Sequence, residues 1–233
     1  MNLIGLDISK ISTAMAIEVD NKEFLFSYNT NSKDYKWNKL VNKIVNVKTY
    51  NYSNDKNIEY SDSEIDKLQQ FINISNDIIK DIKFVINENE KTIIFIEGYS
   101  YSKNVGPIID LVGIGTIIRS KLLENIKNIE KMFIISPKSL KSYTCEMIYG
   151  FEILTKKNKK TEKIINLNKN GVKGGDFSKH DMLEAILDSK KNYTLLNIIN
   201  QNYEEIKNAK NMPKPIEDIN DAWLIKEIIK YIK

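Results

Sequence analysis

Apolar and polar positions alternate along three short stretches near the start of the chain: "LIGLDIS" (3–9), "STAMAIEV" (12–19) and "EFLFSYN" (23–29). Rich in β-formers and joined by tight connections, they predict three strands in an antiparallel meander. Residues 33–60 are polar and aromatic without a clean period, and we read them as a partly ordered insertion. Ile65, Leu68, Phe71, Ile72, Ile74, Ile78, Ile79 and Ile82 then recur at helical spacing. Ser61 with Glu64 three residues on predicts a capping box at the start of that helix. The next segment, "TIIFIE" (92–97), is apolar on both faces and predicts a strand in a sheet covered on both sides. Pro107 opens a second helix, "PIIDLVGIGTIIRSKLLENI", followed by a second buried strand, "KMFIIS". From Pro137 onward the pattern is helical, broken by a basic, glycine-containing loop from Thr155 to Phe177. It ends in a capped amphipathic helix, "IEDINDAWLIKEIIKYIK". The expectation is an α/β fold in one domain over residues 1–233, ordered as three strands, helix, strand, helix, strand.

Composition narrows the class. A 42% hydrophobic content over 233 residues fills a real core. No run approaches the ~18 consecutive apolar residues of a membrane span. "MNLIGLDIS" lacks the basic start and cleavage site of a signal peptide, so a cytoplasmic protein is expected. Cys145 is the only cysteine, which excludes an intrachain disulfide and a thiolate metal cluster; it reads as a small buried hydrophobe. The net charge of +4 is uneven: Lys127 to Lys179 holds 12 lysines against 5 acidic residues. Such clustering attracts phosphate backbones, although a solvated loop in a lysine-rich chain gives the same count.

Two acids sit where a sheet interior does not want them. Asp7 lies near the end of the first apolar strand, and Glu97 ends "TIIFIE". Two carboxylates at the ends of two interior strands repel unless a cation or a proton lies between them. Each alone has the ordinary explanation of capping a neighbouring helix. Asp218 and Asp221, spaced i, i+3 in "EDINDAW", fall on one helical face, where acids also complement the helix dipole. Brought together, the four would make a hard all-oxygen site suited to Mg²⁺ or Mn²⁺. Two such ions roughly 4 Å apart can activate a water and stabilise a leaving oxygen in phosphodiester hydrolysis.

"IGLDIS" on the first strand, "FIEGYSYS" ending the fourth, "FIISPKSLKSYT" on the fifth and "DINDAW" opening the last helix together resemble the RuvC-type Holliday junction resolvases of the ribonuclease H-like superfamily, above all their phage and large-virus relatives. The resemblance spans nearly the whole chain outside 33–60 and 155–177. It implies a five-stranded mixed sheet, three strands antiparallel and the rest parallel, flanked by helices. It further implies paired hydrolysis of four-way or branched DNA by a homodimer, in a host-cell cytoplasm if the source is viral. No small-molecule cofactor or membrane is involved. Asp7 and Glu97 would be shared ligands of two Mg²⁺ ions, for which Mn²⁺ can substitute, and Asp218 and Asp221 would complete the site. Lys138 and Lys141 fall where the family approaches DNA phosphates, and Lys103 and Lys179 join them. Tyr99 and Tyr101 fall where the family carries an aromatic that stacks on an unpaired base. The chain departs from cellular members in having Ile8 and Ser9 where Pro-Gly often follows the first aspartate.

The glycine pair in "KGGDFSKHDMLEAIL" follows no strand and precedes no GKS or GKT, so it reads as a flexible approach to a helix rather than a phosphate loop. His180 at that helix start reads as a surface or capping residue ahead of a metal ligand or general acid, and Asp181 is a reserve ligand. Ile108, Ile109, Leu111, Val112, Ile114, Ile117, Ile118, Leu122 and Leu123 cover more of their helix than one core stripe needs, and Gly113 and Gly115 would let another backbone approach. Both point to a dimer face. Three rivals stand beside this reading. An actin-like or sugar-kinase fold needs a second domain and glycine-rich phosphate motifs that the chain lacks. A ribonuclease H acting on RNA/DNA hybrids shares the metal chemistry, and a non-catalytic nucleic-acid-binding scaffold shares the fold.

Overall fold

The computed structural model describes residues 1–30, 35–50, 59–99, 105–150, 152–154, 163–165 and 167–232. The meander is β1 (Asn2–Asp7), β2 (Ser12–Val19) and β3 (Lys22–Thr30). Asp20 and Asn21 both take positive φ, 50° and 60°, which makes the tight β2–β3 turn, and Asp and Asn tolerate that backbone best after glycine. After α1 (Tyr35–Val41), β4 (Asn46–Tyr50) pairs parallel to β3. α2 (Tyr60–Val85) leads to β5 (Thr92–Glu97), parallel to β1, and α3 (Val105–Asn125) leads to β6 (Ile129–Ile135), parallel to β5. The sheet order is β4-β3-β2-β1-β5-β6. Three antiparallel strands are followed by parallel ones, as expected, but the sheet has six strands instead of five.

The sixth strand, β4, lies inside the stretch read as an insertion. Its sequence, "NVKTY", is half-exposed at the sheet edge, so no apolar run announces it. Beyond α4 (Pro137–Tyr149), β7 (Glu152–Leu154) and β8 (Lys163–Ile165) form a separate two-stranded hairpin. A short 3-10 turn (Gly174–Asp176), α5 (Lys179–Asp188), α6 (Leu196–Gln201), α7 (Tyr203–Asn208) and α8 (Ile216–Ile232) complete the order. No helix among the described residues is long and apolar enough to cross a membrane.

Three further expectations are corrected. α2 begins at Tyr60 with Glu59 as its N-cap and no side-chain cap bond, so Ser61 sits inside the first turn and the capping box does not form. Burial of Phe71, Ile74, Ile78 and Ile82 holds this long helix without it. β6 is not a buried strand: as the outer strand it leaves Phe133 43% and Ile134 55% exposed. The last helix is not amphipathic, because α8 is buried on every side from Ile216 to Ile229 apart from the half-buried Glu217.

The sheet's period of two sorts the core into two layers. Ile4 and Leu6 of β1 and Ile8 just past it, with Ile94 and Ile96 of β5, face α2 and α3. Leu3 of β1, with Ile93 and Phe95 of β5, faces α8, α4 and α5. By the same alternation Gly5, Asp7 and Glu97 belong to the α8 face. β1 and β5 run parallel with Leu6 opposite Ile96, so one step further sets Asp7 beside Glu97.

α8 lies directly on β1. A Cβ at Gly5 would stand 2.3 Å from the Ala222 carbonyl oxygen and 2.5 Å from the Lys226 nitrogen, so only glycine lets the helix backbone come this close. Side chains then fix the helix. Trp223 Nε1 donates to Glu23 at 2.6 Å, and the Tyr193 ring packs on Trp223 at 4.6 Å while its hydroxyl donates to Asn220 at 2.8 Å. Lys226 is buried, and its Nζ meets Glu18 at 3.1 Å, Glu23 at 2.8 Å and Glu227 at 3.0 Å. A buried ammonium with three carboxylate partners is tolerable where an unpaired one would not be.

Gly5→Ala should therefore cost about 3 kcal/mol, a fall of roughly 6–12 °C in melting temperature, because the opposing atoms are backbone and cannot yield as a side chain would. Gly106→Ala, where nothing lies within 4 Å, is the control and should stay within about 0.5 kcal/mol. Equal melting temperatures for Gly5→Ala and the parent chain would contradict the close approach.

Candidate active site

The contact at Gly5 places the first turn of α8 over the ends of β1 and β5. Asp218 and Asp221, three residues apart and both buried, thereby join Asp7 and Glu97. The electrostatics show the assembly directly. Burial raises the Asp7 carboxyl well above the usual range, and Glu97, Asp218 and Asp221 push it further. Asp7 and Glu97 share a hydrogen bond. Glu97 is raised by burial and by Asp221, with the Asp7 bond and Lys179 in opposition. Burial lifts Asp218 to about 6 although Lys214 and the nearby Ser12 hydroxyl pull it back, and Asp221 is raised by burial against the opposing pull of Lys179.

Two lysines supply the positive charge. Lys179, the first residue of α5, pairs with Asp221 and lies 3.2 Å from Glu217. Lys214 pairs with Asp218 and lies 3.6 Å from Glu217. Burial would lower both ammonium pKa values, yet the surrounding carboxylates keep them raised. Five acids, Glu217 included, thus face two lysines.

Among the described residues no three acidic, His or Cys side chains stand ready to hold a metal ion as placed. The lysines engage one oxygen each of Asp221 and Asp218. The donor chemistry nevertheless fits a hard divalent cation. All four donors are carboxylates, the local charge is negative, and the second oxygen of Asp218, Oδ2, is shielded from solvent with no hydrogen-bond partner among the described residues.

The other expected residues divide. Lys138 and Lys141 lie on α4 and pair with no carboxylate among the described residues; the Lys138 stem packs over Gly175. Tyr99 is tied to Arg119, which hydrogen-bonds its hydroxyl and lies 5.1 Å over its ring. Gly115 serves this contact, since a Cβ there would come within 2.8 Å of the Tyr99 hydroxyl. Gly113 faces the Phe71 ring at 3.5 Å, so neither glycine meets another backbone. Tyr101 and Lys103 lie outside the described residues. Asp181 closes a capping box with Ser178, which removes it as a reserve ligand. His180 Nε2 has no hydrogen-bond partner among the described residues. Lys214 and Glu217 went unread in the sequence, although Lys214 stands only four residues before Asp218, in the turn that leads into α8.

No family model matches the sequence, and no curated protein sequence matches it. Among solved structures, Thermus thermophilus RuvC in complex with Holliday junction substrate is similar at a TM-score of 0.47 and 8% identity, covering 100% of this chain and 96% of that one. A second Thermus thermophilus RuvC structure gives 0.46 and 9%, covering 100% and 96%. The yeast mitochondrial Holliday junction resolvase Ydc2 gives 0.44 and 14%, covering 97% and 75%. Likenesses this remote carry no chemistry across, and the case for function rests on the residues.

Asp218 gives a pH test whose sign is fixed. Its folded pKa of about 6 lies above the ordinary 3.8, so its contribution to stability is fully present below about 3.8 and is lost as pH rises through about 6. Asp218→Asn should therefore be more stable than the parent at pH 7 in EDTA, by up to about 3 kcal/mol, and should lose that advantage below about pH 4. Thermal melts across pH 3.5–8 check it. A variant less stable than the parent at pH 7 would mean that the Lys214 pair outweighs burial.

Proposed function

We propose that the chain is a divalent-metal-dependent endonuclease of the RuvC type that resolves four-way or branched DNA by phosphodiester hydrolysis. One observation carries the reading: three buried carboxylates, Asp7, Asp218 and Asp221, converge with the half-buried Glu97 from β1, β5 and α8, against the cost of desolvation and mutual repulsion, with an Asp218 oxygen unpartnered among the described residues. Nothing in the packing of the sheet calls for them. Asp7, Glu97, Asp218 and Asp221 would hold the metal, either Mg²⁺ or Mn²⁺ and two ions in the fullest form. When bound, such ions activate water and offset charge on the leaving oxygen.

The chain's own residues supply the rest. Asp7 and Glu97 are fixed by neighbouring strands, and Asp218 and Asp221 by one helical turn, so the set keeps its spacing without loop motion. Lys138 and Lys141 offer ammoniums on α4 to the phosphates, and Lys179 offers a third at the edge of the carboxylates. Tyr99 accepts a hydrogen bond from Arg119 and carries its guanidinium over the ring, so in this arrangement it packs against α3.

Asp7→Asn and Glu97→Gln should each abolish cutting while leaving junction binding intact or stronger, because removing negative charge beside phosphates does not weaken attraction. The assay offers a four-way junction, a flap, linear duplex and an RNA/DNA hybrid in Mg²⁺, Mn²⁺ or EDTA. Preference for the hybrid would make the chain a ribonuclease H. Absence of metal-dependent cutting on every substrate would leave a binding scaffold.

Two cuts across a four-way junction require two sites, and we propose a homodimer built on the face shared by α2 and α3. Ile65 (64% exposed), Leu68 (50%) and Ile109 (64%) rim a groove of about 360 Å³ that Phe71, Gly113 and Ile117 also line. Ile114, Ile118 and Leu122 face the core instead. Sedimentation at micromolar concentration should show twice the 27.0 kDa chain mass, and Ile109→Lys should halve it and turn paired cutting into single nicks. A monomer that still makes paired cuts would sink the proposal.

A further inference from the structure

Beside the carboxylates lies a cavity of about 670 Å³, between α1, the first turn of α5 and residues 209–214. Lys179, His180, Lys210, Lys214 and Glu217 form its polar wall, and Trp37, Met212 and Pro213 contribute to its apolar one. We propose that it seats one phosphate-bearing nucleotide of the DNA strand that lies across the four carboxylates; this rests on the nuclease reading above.

Three features support that ligand. The first is charge: three ammoniums ring the cavity against a single lining carboxylate, Glu217. Lys179 and Lys214 are balanced by Asp221, Asp218 and Glu217, but Lys210 is exposed and pairs with no carboxylate among the described residues. His180 adds an Nε2 sheltered from solvent and without a hydrogen-bond partner among the described residues. Cations confined around one concave surface favour an anion there. The second feature is the opposite wall, where an indole, a thioether and a proline ring suit a sugar or base rather than a bare ion. The volume lies within the range of about 300–1,000 Å³ typical of small-ligand sites.

The third feature is position. Lys179 and Lys214 line the cavity and also bond candidate metal ligands, and Glu217 immediately precedes Asp218. A strand whose scissile phosphate lay at the carboxylates would therefore have a neighbouring nucleotide beside these shared residues. The α1 wall, through Trp37, comes from the stretch that the sequence alone marked as an insertion.

Fluorescence anisotropy in EDTA, where nothing is cut, tests the site. The probes are a labelled oligothymidylate 8-mer and a labelled four-way junction, titrated over a range of salt. Lys210→Gln should weaken binding of the 8-mer about three- to tenfold and reduce its salt slope by about 0.7; Lys210→Glu should weaken it further. Lys207→Gln, on exposed α7 outside the cavity, should change neither. Thymidine monophosphate should displace the 8-mer at concentrations where inorganic phosphate does not. Parent-like affinity and slope in Lys210→Glu would overturn the site, and equal competition by inorganic phosphate would overturn the nucleotide. The two readings separate cleanly. If Asp7→Asn still cuts while Lys210→Glu loses the 8-mer, the nuclease assignment fails and the cavity stands; if Asp7→Asn is dead while Lys210→Glu binds normally, the cavity fails alone.

Discussion

The structure depends on a helix backbone resting against a strand backbone. At Gly5 the α8 main chain comes closer to β1 than any side chain would allow, with a hypothetical Cβ 2.3 Å from the Ala222 oxygen. That contact sets the depth of α8, and depth decides the site. With any larger residue at position 5 the helix would ride higher, and Asp218 and Asp221 would lift away from Asp7 and Glu97. The glycine therefore links sheet packing to chemistry.

A second constraint is the handling of charge along the same helix. At its start, five acids meet two lysines, and desolvation leaves Asp7, Glu97, Asp218 and Asp221 all with raised pKa values. Two turns on, Lys226 meets Glu18, Glu23 and Glu227, and Glu227 behaves in the opposite way. Burial would raise it, but Lys226 and Lys191 hold it down to about 2. The Lys226 cluster is satisfied and fixes α8 in place; the carboxylate cluster is not satisfied. That contrast within one helix is the physical ground for reading the first turn as functional and the middle as structural.

Much of this was legible in the sequence. Period-two alternation in "LIGLD" and "TIIFIE" put Asp7 and Glu97 at strand ends, and the i, i+3 spacing put Asp218 and Asp221 on one face. The misses share a cause: they depend on partners distant in sequence. β4 is polar because it lies at a sheet edge. Lys226 looked like the polar stripe of an amphipathic helix because Glu18 and Glu23 come from β2 and β3. Gly115 suggested a backbone neighbour, when its neighbour is the Tyr99 ring carried from the end of β5. Ser61 and Glu64 satisfy the capping-box spacing, yet α2 starts one residue earlier and is held by its apolar face instead. Lys214 differs, since its spacing to Asp218 was local and readable.

Lys179 and Lys214 stand at the border of the carboxylates and the cavity, and each can satisfy only one side fully. Paired with Asp221 and Asp218, they relieve repulsion among the acids but leave less positive charge for an anion next door. Drawn toward a phosphate in the cavity, they would uncover two carboxylates that a cation, or a proton at lower pH, would then have to neutralise. Anion and cation binding at the two places are then mutually supportive, and by linkage each strengthens the other to the same degree. Under the proposed reading, such an arrangement would keep the acids tolerable in the free protein and uncover their charge only where a strand was already seated.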